Sequence, residues 1–198
     1  NDTRMLPAKP WEVLMSNQVY SIETYKFSPS DALLFDANIW LYIYGLSNTK
    51  NAERLKRKYE NQFRRIRGLK VPIFLDVLVL SEFINAYSRQ FYNRLPEATK
   101  QADFKSFRNS ADFQPIAREI AKYSRRILSK TQRTNIAFES VEMGAIIDAY
   151  VAANADFNDL MLAELCQAND FKLVTHDADF KGDNLTILTA NSKLLSGS

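Results

Sequence analysis

Short apolar runs alternate with stretches of helical period along most of the chain. Val19 to Phe27 alternates loosely, with Tyr20, Ile22, Tyr25 and Phe27 as its apolar positions, and predicts an added edge strand. Pro29 and Ser30 interrupt it before Ala32-Leu33-Leu34-Phe35, a run of the buried-strand type. Ile39 to Tyr44 reads as a helix ending at Gly45. Residues 50–70 predict a polar helix on which Leu55, Tyr59, Phe63 and Ile66 recur at spacings of three and four. Val71 to Leu75 is a second buried strand. Leu80, Phe83, Ile84, Tyr87 and Phe91 then follow at helical spacing, with Asp76 placed to cap them. Residues 97–133 predict one or two helices, with Phe113, Ile116, Ala117, Ile120, Ser124, Ile127 and Leu128 on one face. A helix is expected from Phe138 to Ala153 and a shorter one from Asp159 to Ala168. Strands are expected at Phe171 to Thr175 and at Asn184 to Thr189. Strands alternating with helices in this way predict an α/β fold around a mainly parallel sheet.

Composition adds limits to this picture. The 198 residues suit one domain with added material. The expected division is an arm over 1–30, a domain over 31–190 with a basic helix at 50–70 and a helical insertion at 97–133, and a tail over 191–198. A single cysteine, Cys166, excludes an internal disulfide and a cysteine-rich zinc site, and fits a cytoplasmic location. No apolar run approaches the roughly 20 residues of a membrane span, and residues 1–20 lack the apolar core of a signal peptide. The net charge of +3 hides an asymmetry. Residues 1–133 hold 23 Lys/Arg and 13 Asp/Glu, whereas residues 134–198 hold 3 and 10. A basic surface beside a carboxylate-rich one suits a polyanion handled with a divalent ion, although solvated helix faces explain the same counts.

The carboxylates carry the candidate chemistry. Asp36 follows a predicted strand directly, and Asp177 stands two residues past Thr175 at the end of another. Asp159 opens a helix, and Glu82 lies one to two turns into the helix after the second strand. Ligand sites of open parallel sheets form beyond the carboxyl ends of the strands, so four separated acids are expected to converge there. Like charges so placed repel one another unless a cation neutralises them. Oxygen donors favour a hard ion, Mg²⁺ or Mn²⁺. Taken singly, each Asp has a plainer reading as a helix cap or a first-turn charge, Asp156 and Asp159 included. Glu82, inside Leu80-Ser81-Glu82-Phe83-Ile84, is harder to explain that way.

Asp36-Ala37-Asn38 after a strand, Glu82 in its apolar setting, Asp156-Phe157-Asn158-Asp159-Leu160, and Thr175-His176-Asp177-Ala178-Asp179-Phe180 together resemble the PIN-domain nucleases, which include the VapC-type toxins. The resemblance covers about residues 31–190. It implies a three-layer α/β/α fold, with catalysis and metal binding by Asp36, Glu82, Asp159 and Asp177 and with Asp156 as a fifth acid. Asn38, Thr175 and Asp179 match supporting polar positions that orient the carboxylates. It further implies hydrolysis of RNA phosphodiesters to 5′-phosphate and 3′-hydroxyl ends, a homodimer and an antitoxin partner. The chain departs from the compact toxins in its arm, its basic helix and its insertion. Arg54, Arg57, Arg64, Arg65 and Arg67 are candidate RNA-phosphate contacts, on charge clustering alone. His176, the only histidine, is a candidate proton shuttle or phosphate contact. A non-catalytic RNA-binding or scaffold domain is the competing function, and a phosphatase-type phosphoryl-transfer domain fits less well, because Asn38 stands where that pattern wants a second Asp.

Overall fold

Leu33, Leu34 and Phe35 are enclosed on all sides, as an apolar run without polar alternation must be when both faces of its strand are covered. They form β2 (Leu33–Phe35), next to the middle of a six-stranded sheet. The computed structural model describes residues 17–47, 49–98, 100–153, 156–180 and 184–197. The first part of the expected arm, residues 1–16, thus lies outside the described residues. The other strands are β1 (Gln18–Ser21), β3 (Ile73–Leu75), β4 (Gln132–Arg133), β5 (Lys172–Val174) and β6 (Thr186–Thr189). Their order across the sheet is β1-β6-β5-β2-β3-β4, and every pairing is parallel.

Helices connect the strands: α1 (Ala37–Tyr44), α2 (Lys50–Gly68), α3 (Val77–Arg94), α4 (Phe104–Arg108), α5 (Phe113–Leu128), α6 (Met143–Ala153), α7 (Phe157–Asn169) and α8 (Ser192–Ser196). Successive strand residues point to opposite faces, and both faces here meet aromatic packing. Phe35 lies against Trp40 of α1 and Phe63 of α2, with ring centroids 5.2 and 6.0 Å apart. Its neighbour Leu34 is in register with Phe74, whose ring stacks on Phe171 at 4.5 Å on the other face. Helix α1 packs on α2 and α3, α3 packs on α5, and α6 packs on α7. The three-layer α/β/α arrangement follows.

The capping and stripe expectations hold in detail. Asp76 accepts the Leu78 N–H at 2.7 Å at the start of α3. Leu55, Tyr59 and Ile66 form the buried stripe of α2. Several boundaries differ. The edge strand stops at Ser21 instead of continuing to Phe27, because the Ser21 carbonyl accepts the Thr24 and Tyr25 N–H groups and turns the chain. The segment 97–133 contains α4, α5 and the edge strand β4, whose polar Gln132 and Arg133 carry no apolar signal. Leu128 is partly exposed rather than inward. The helix expected from Phe138 is a short 3₁₀ turn (Phe138–Ser140) followed by α6. The tail contains α8, capped by Asn191 through the Lys193 N–H.

Asp31 ties the segment after β1 to the sheet. Buried at 5% exposure, it pairs with Lys172 Nζ at 3.1 Å and accepts the Ser28 N–H at 2.8 Å. At the end of α1, Gly45 donates its N–H to the Leu41 carbonyl, and a Cβ placed there would lie 2.3 Å from that oxygen. Gly45→Ala is therefore expected to cost about 1–3 kcal/mol, the range of forced overpacking. Chemical denaturation checks this, and an unchanged midpoint would contradict the close approach.

Candidate active site

Strand order decides where the carboxyl ends open. From β2 the chain moves to β3 on one side, and from β5 it moves to β6 on the other. The neighbouring ends of β2 and β5 therefore form the crevice at which connections diverge, the usual ligand position in such sheets. Asp36 follows β2, and Thr175-His176-Asp177 follow β5. The Asp36 N–H donates to the Val174 carbonyl at 3.0 Å, which extends the β2–β5 ladder up to the acid itself.

Asp36 occupies the N-cap place of α1 but makes no capping hydrogen bond with its side chain. Thr175 Oγ1 instead donates to Asp36 Oδ2 at 2.7 Å, and Asn38 Nδ2 donates to the same oxygen. The Thr175 hydroxyl also accepts from Asn38 Nδ2 and from the Asp177 N–H, each at 3.0 Å. Its one donor and both acceptor positions are thereby used. Asn38 Oδ1 accepts the His176 N–H at 3.1 Å, which fixes the sense of the amide. Asn38 and Thr175 thus hold Asp36 through side-chain hydrogen bonds. Burial raises the Asp36 pKa, and the Thr175 hydrogen bond opposes that rise.

The remaining acids gather around this centre. Glu82, half-buried on α3, has a pKa raised to about 7 by burial and by the charges of Asp36, Asp156 and Asp177. Asp159, in the first turn of α7, is raised to about 7 by burial and by Asp36, Asp156, Asp177 and Glu82. The four expected acids are therefore brought into one electrostatic group. Among the described residues, however, no three His, Cys, Asp or Glu side chains form a ready-made cluster for a metal ion. Asp156 caps α7, accepting the Asn158 N–H at 2.8 Å. Asp179 is exposed and donates its N–H to Asp177 Oδ1 at 3.0 Å.

The PIN-domain family model matches residues 33–182, which include β2, β5 and all these acids. The chain belongs to the PIN-domain family. PIN domains are in general nucleases, so a nucleic acid is the implied substrate, and PIN nucleases usually use divalent ions. A comparison with curated proteins gives no match. Among solved structures the chain is similar to PAE2754 from Pyrobaculum aerophilum, at 12% identity, covering 85% of this chain and 95% of that one with a TM-score of 0.46. No helix among the described residues is long and apolar enough to cross a membrane.

The basic helix of this PIN domain divides along its length. All five candidate arginines are exposed. Arg54 bonds Asn51 within the helix, and Arg64 bonds Asn61. Arg65 donates to the carbonyls of Glu23 and Tyr25 and lies 5.1 Å from the Phe27 ring, so it fastens the segment after β1. Arg67 donates to the Lys130 carbonyl, just ahead of β4, and so sits at the amino ends of the strands, opposite the acids. One feature had no sequence signal beyond the stripe of α2. The Tyr59 hydroxyl shares a 2.8 Å hydrogen bond with His176 Nδ1 and accepts the Ala190 N–H at 3.1 Å. Asn191 Nδ2 donates to the His176 carbonyl at 2.7 Å. His176 is thus held on three sides, and burial lowers its pKa.

Two outcomes are expected from this geometry. Thr175→Val removes the hydroxyl that Asp36, Asn38 and the Asp177 N–H share, and is expected to cost about 1–3 kcal/mol in urea denaturation. Stability without divalent ions is also expected to depend on pH. Unfolded carboxyls ionise near pH ~4, whereas Glu82 and Asp159 ionise at about 7 in the fold. Between those values the folded chain binds more protons than the unfolded one, so stability falls as pH rises. The Tm is expected to be higher near pH ~5 than near pH ~7.5, and Glu82→Gln and Asp159→Asn are each expected to narrow that gap. A Tm that rises steadily over this window would contradict the assignment.

Proposed function

We propose that this PIN domain is a metal-dependent endoribonuclease that hydrolyses RNA phosphodiester bonds at Asp36, Glu82, Asp159 and Asp177. The observation that carries the reading is the mutual electrostatic coupling of acids from separate segments at the β2–β5 crevice. The donor set is all oxygen, and burial together with neighbouring carboxylates raises two of its members to a pKa of about 7, which fits Mg²⁺ or Mn²⁺. When bound, such an ion supplies charge neutralisation at the phosphate and acidifies water. Asp36 receives the Asn38 amide and the Thr175 hydroxyl together on Oδ2. Asn38 and Thr175 keep that carboxylate from rotating. Glu82 and Asp159, each with a pKa of about 7, release protons near neutrality as the site fills. Arg54 and Arg57 lie in the first half of α2, on the site side of Tyr59, and are the members of the basic helix best placed for RNA phosphates. The products carry 5′-phosphate and 3′-hydroxyl ends. A cytoplasmic toxin role, with an antitoxin partner and a homodimer, is the biological form of this reading, supported by family resemblance alone.

Asp36→Asn is expected to lower cleavage of single-stranded RNA with Mg²⁺ or Mn²⁺ by on the order of 100-fold or more, as loss of one electrostatic stabiliser does elsewhere. Calorimetric titration with Mn²⁺ is expected to show weaker binding in the same variant. Full activity in Asp36→Asn would sink the proposed site. RNA binding without cleavage or Mn²⁺ binding would favour a scaffold instead.

A further inference from the structure

His176 stands just past the carboxyl end of β5, between Thr175 and Asp177, and the nuclease reading gives it no task. Its main chain is pinned, because the N–H donates to Asn38 Oδ1 and the carbonyl accepts from Asn191 Nδ2. Its ring is pinned as well. The rings of Tyr42 and Tyr59 meet it at centroid distances of 5.2 and 5.7 Å, both close to perpendicular. Nδ1 lies 2.8 Å from the Tyr59 hydroxyl, a bond in which either atom could be the donor.

The surroundings of Tyr59 decide the direction. Its oxygen accepts the Ala190 N–H at 3.1 Å. Burial pushes the Tyr59 pKa up to about 12, and hydrogen bonds from Ala190 and from the Thr189 hydroxyl oppose that rise, as donors do. The phenol therefore keeps its proton, and two donors already occupy its oxygen. His176 Nδ1 is left as the acceptor of that proton. Nδ1 then carries no hydrogen, and the imidazole proton sits on Nε2. The opposite ring orientation would set a carbon against the buried hydroxyl and deprive it of its acceptor.

Nε2 is the open end of this series of bonds. It has no hydrogen-bond partner among the described residues, and it is not one of the buried polar atoms that lack one. It therefore keeps contact with solvent. An Nε2–H group has no lone pair for a metal ion or a proton, so donation is its polar chemistry. We propose that His176 Nε2 donates a hydrogen bond to a phosphate oxygen of the nucleic-acid strand at the crevice, and that Tyr59 is the positioning residue that fixes this tautomer. The inference rests on the nuclease reading for the identity of the strand. Phosphate oxygens are the acceptors that a strand offers whatever its sequence. After burial, the charges that act on the ring are those of Asp177 and Lys58, and Lys58 adds a cation on the same side of the sheet. The proton-shuttle role for His176 falls away, because Tyr59 occupies the one lone pair that a base would need.

His176 is the only histidine, so a single imidazole signal reports on it. Long-range proton–nitrogen correlation spectra of the full chain, without divalent ions and at pH ~8, are expected to show the Nε2–H tautomer alone. Adding a short oligouridylate is expected to move the Nε2 signal. His176→Asn keeps an amide oxygen as acceptor for Tyr59 but has nothing at the Nε2 position. By fluorescence anisotropy it is expected to bind the strand about 10-fold more weakly, the scale of one hydrogen bond to a charged group. Tyr59→Phe is expected to add the Nδ1–H tautomer and to weaken binding, and circular dichroism checks that both variants are folded. The wild-type spectra decide the tautomer even where a variant fails to fold. A wild-type ring protonated on Nδ1, or undiminished affinity in folded His176→Asn, overturns the proposal. The Nε2–H tautomer kept alone by folded Tyr59→Phe overturns the role of Tyr59. Affinity that depends on His176 in a chain that cleaves no RNA removes the nuclease reading and leaves this contact. Cleavage that depends on Asp36, with full affinity in His176→Asn, does the reverse.

Discussion

One buried carboxylate sets the terms for this molecule. Asp36 lies at 4% exposure at the end of the most enclosed strand, where an ionised group is costly unless polar partners surround it. Thr175 and Asn38 supply those partners from a neighbouring strand end and from the next turn of chain. The Thr175 hydroxyl then holds the Asp177 N–H, and Asn38 holds the His176 N–H. Stabilising one acid in this way fixes the loop that carries another. The β2–β5 pairing must be in register for any of it to form, so sheet and site depend on each other.

Around this anchored acid the fold tolerates concentrated like charge. Glu82 and Asp159 are half-buried, and their pKa values near 7 measure what burial and mutual repulsion impose. Burial and repulsion of this kind favour the protonated forms of both groups. Asp156 differs, because its carboxylate is engaged in capping α7. The fold thus commits Asp156 to local structure while its charge still acts on Glu82 and Asp159.

Positive charge is divided in a similar way. Arg65 and Arg67 are drawn into hydrogen bonds that fasten the β1 segment and the start of β4, whereas Arg54 and Arg64 bond only asparagines within their own helix. A cavity between α1 and α3 is lined by Asn38, Tyr42, Gln90 and Arg94 among others. Tyr59 links the two regions, because it stacks on Tyr42 while its hydroxyl anchors His176.

Much of this was legible in the residues themselves. Apolar runs such as Leu33 to Phe35 specify buried parallel strands because nothing polar is available to face solvent. The stripe of Leu55, Tyr59 and Ile66 and the cap at Asp76 are local signals, written within one or two turns of helix. The order of Asp36, Glu82, Asp159 and Asp177 marked the family because each acid sits in a short contiguous motif. Other features had no local signature. Gln132 and Arg133 become a strand only because β3 offers them backbone partners. Which arginines fasten distant segments, and that Asp159 lies among acids from other elements, depend on contacts far apart in the chain. The sequence by itself determined the elements and the set of acids. Tertiary structure alone placed β5 beside β2 and thereby made a buried charge on one strand depend on a hydroxyl 139 residues away.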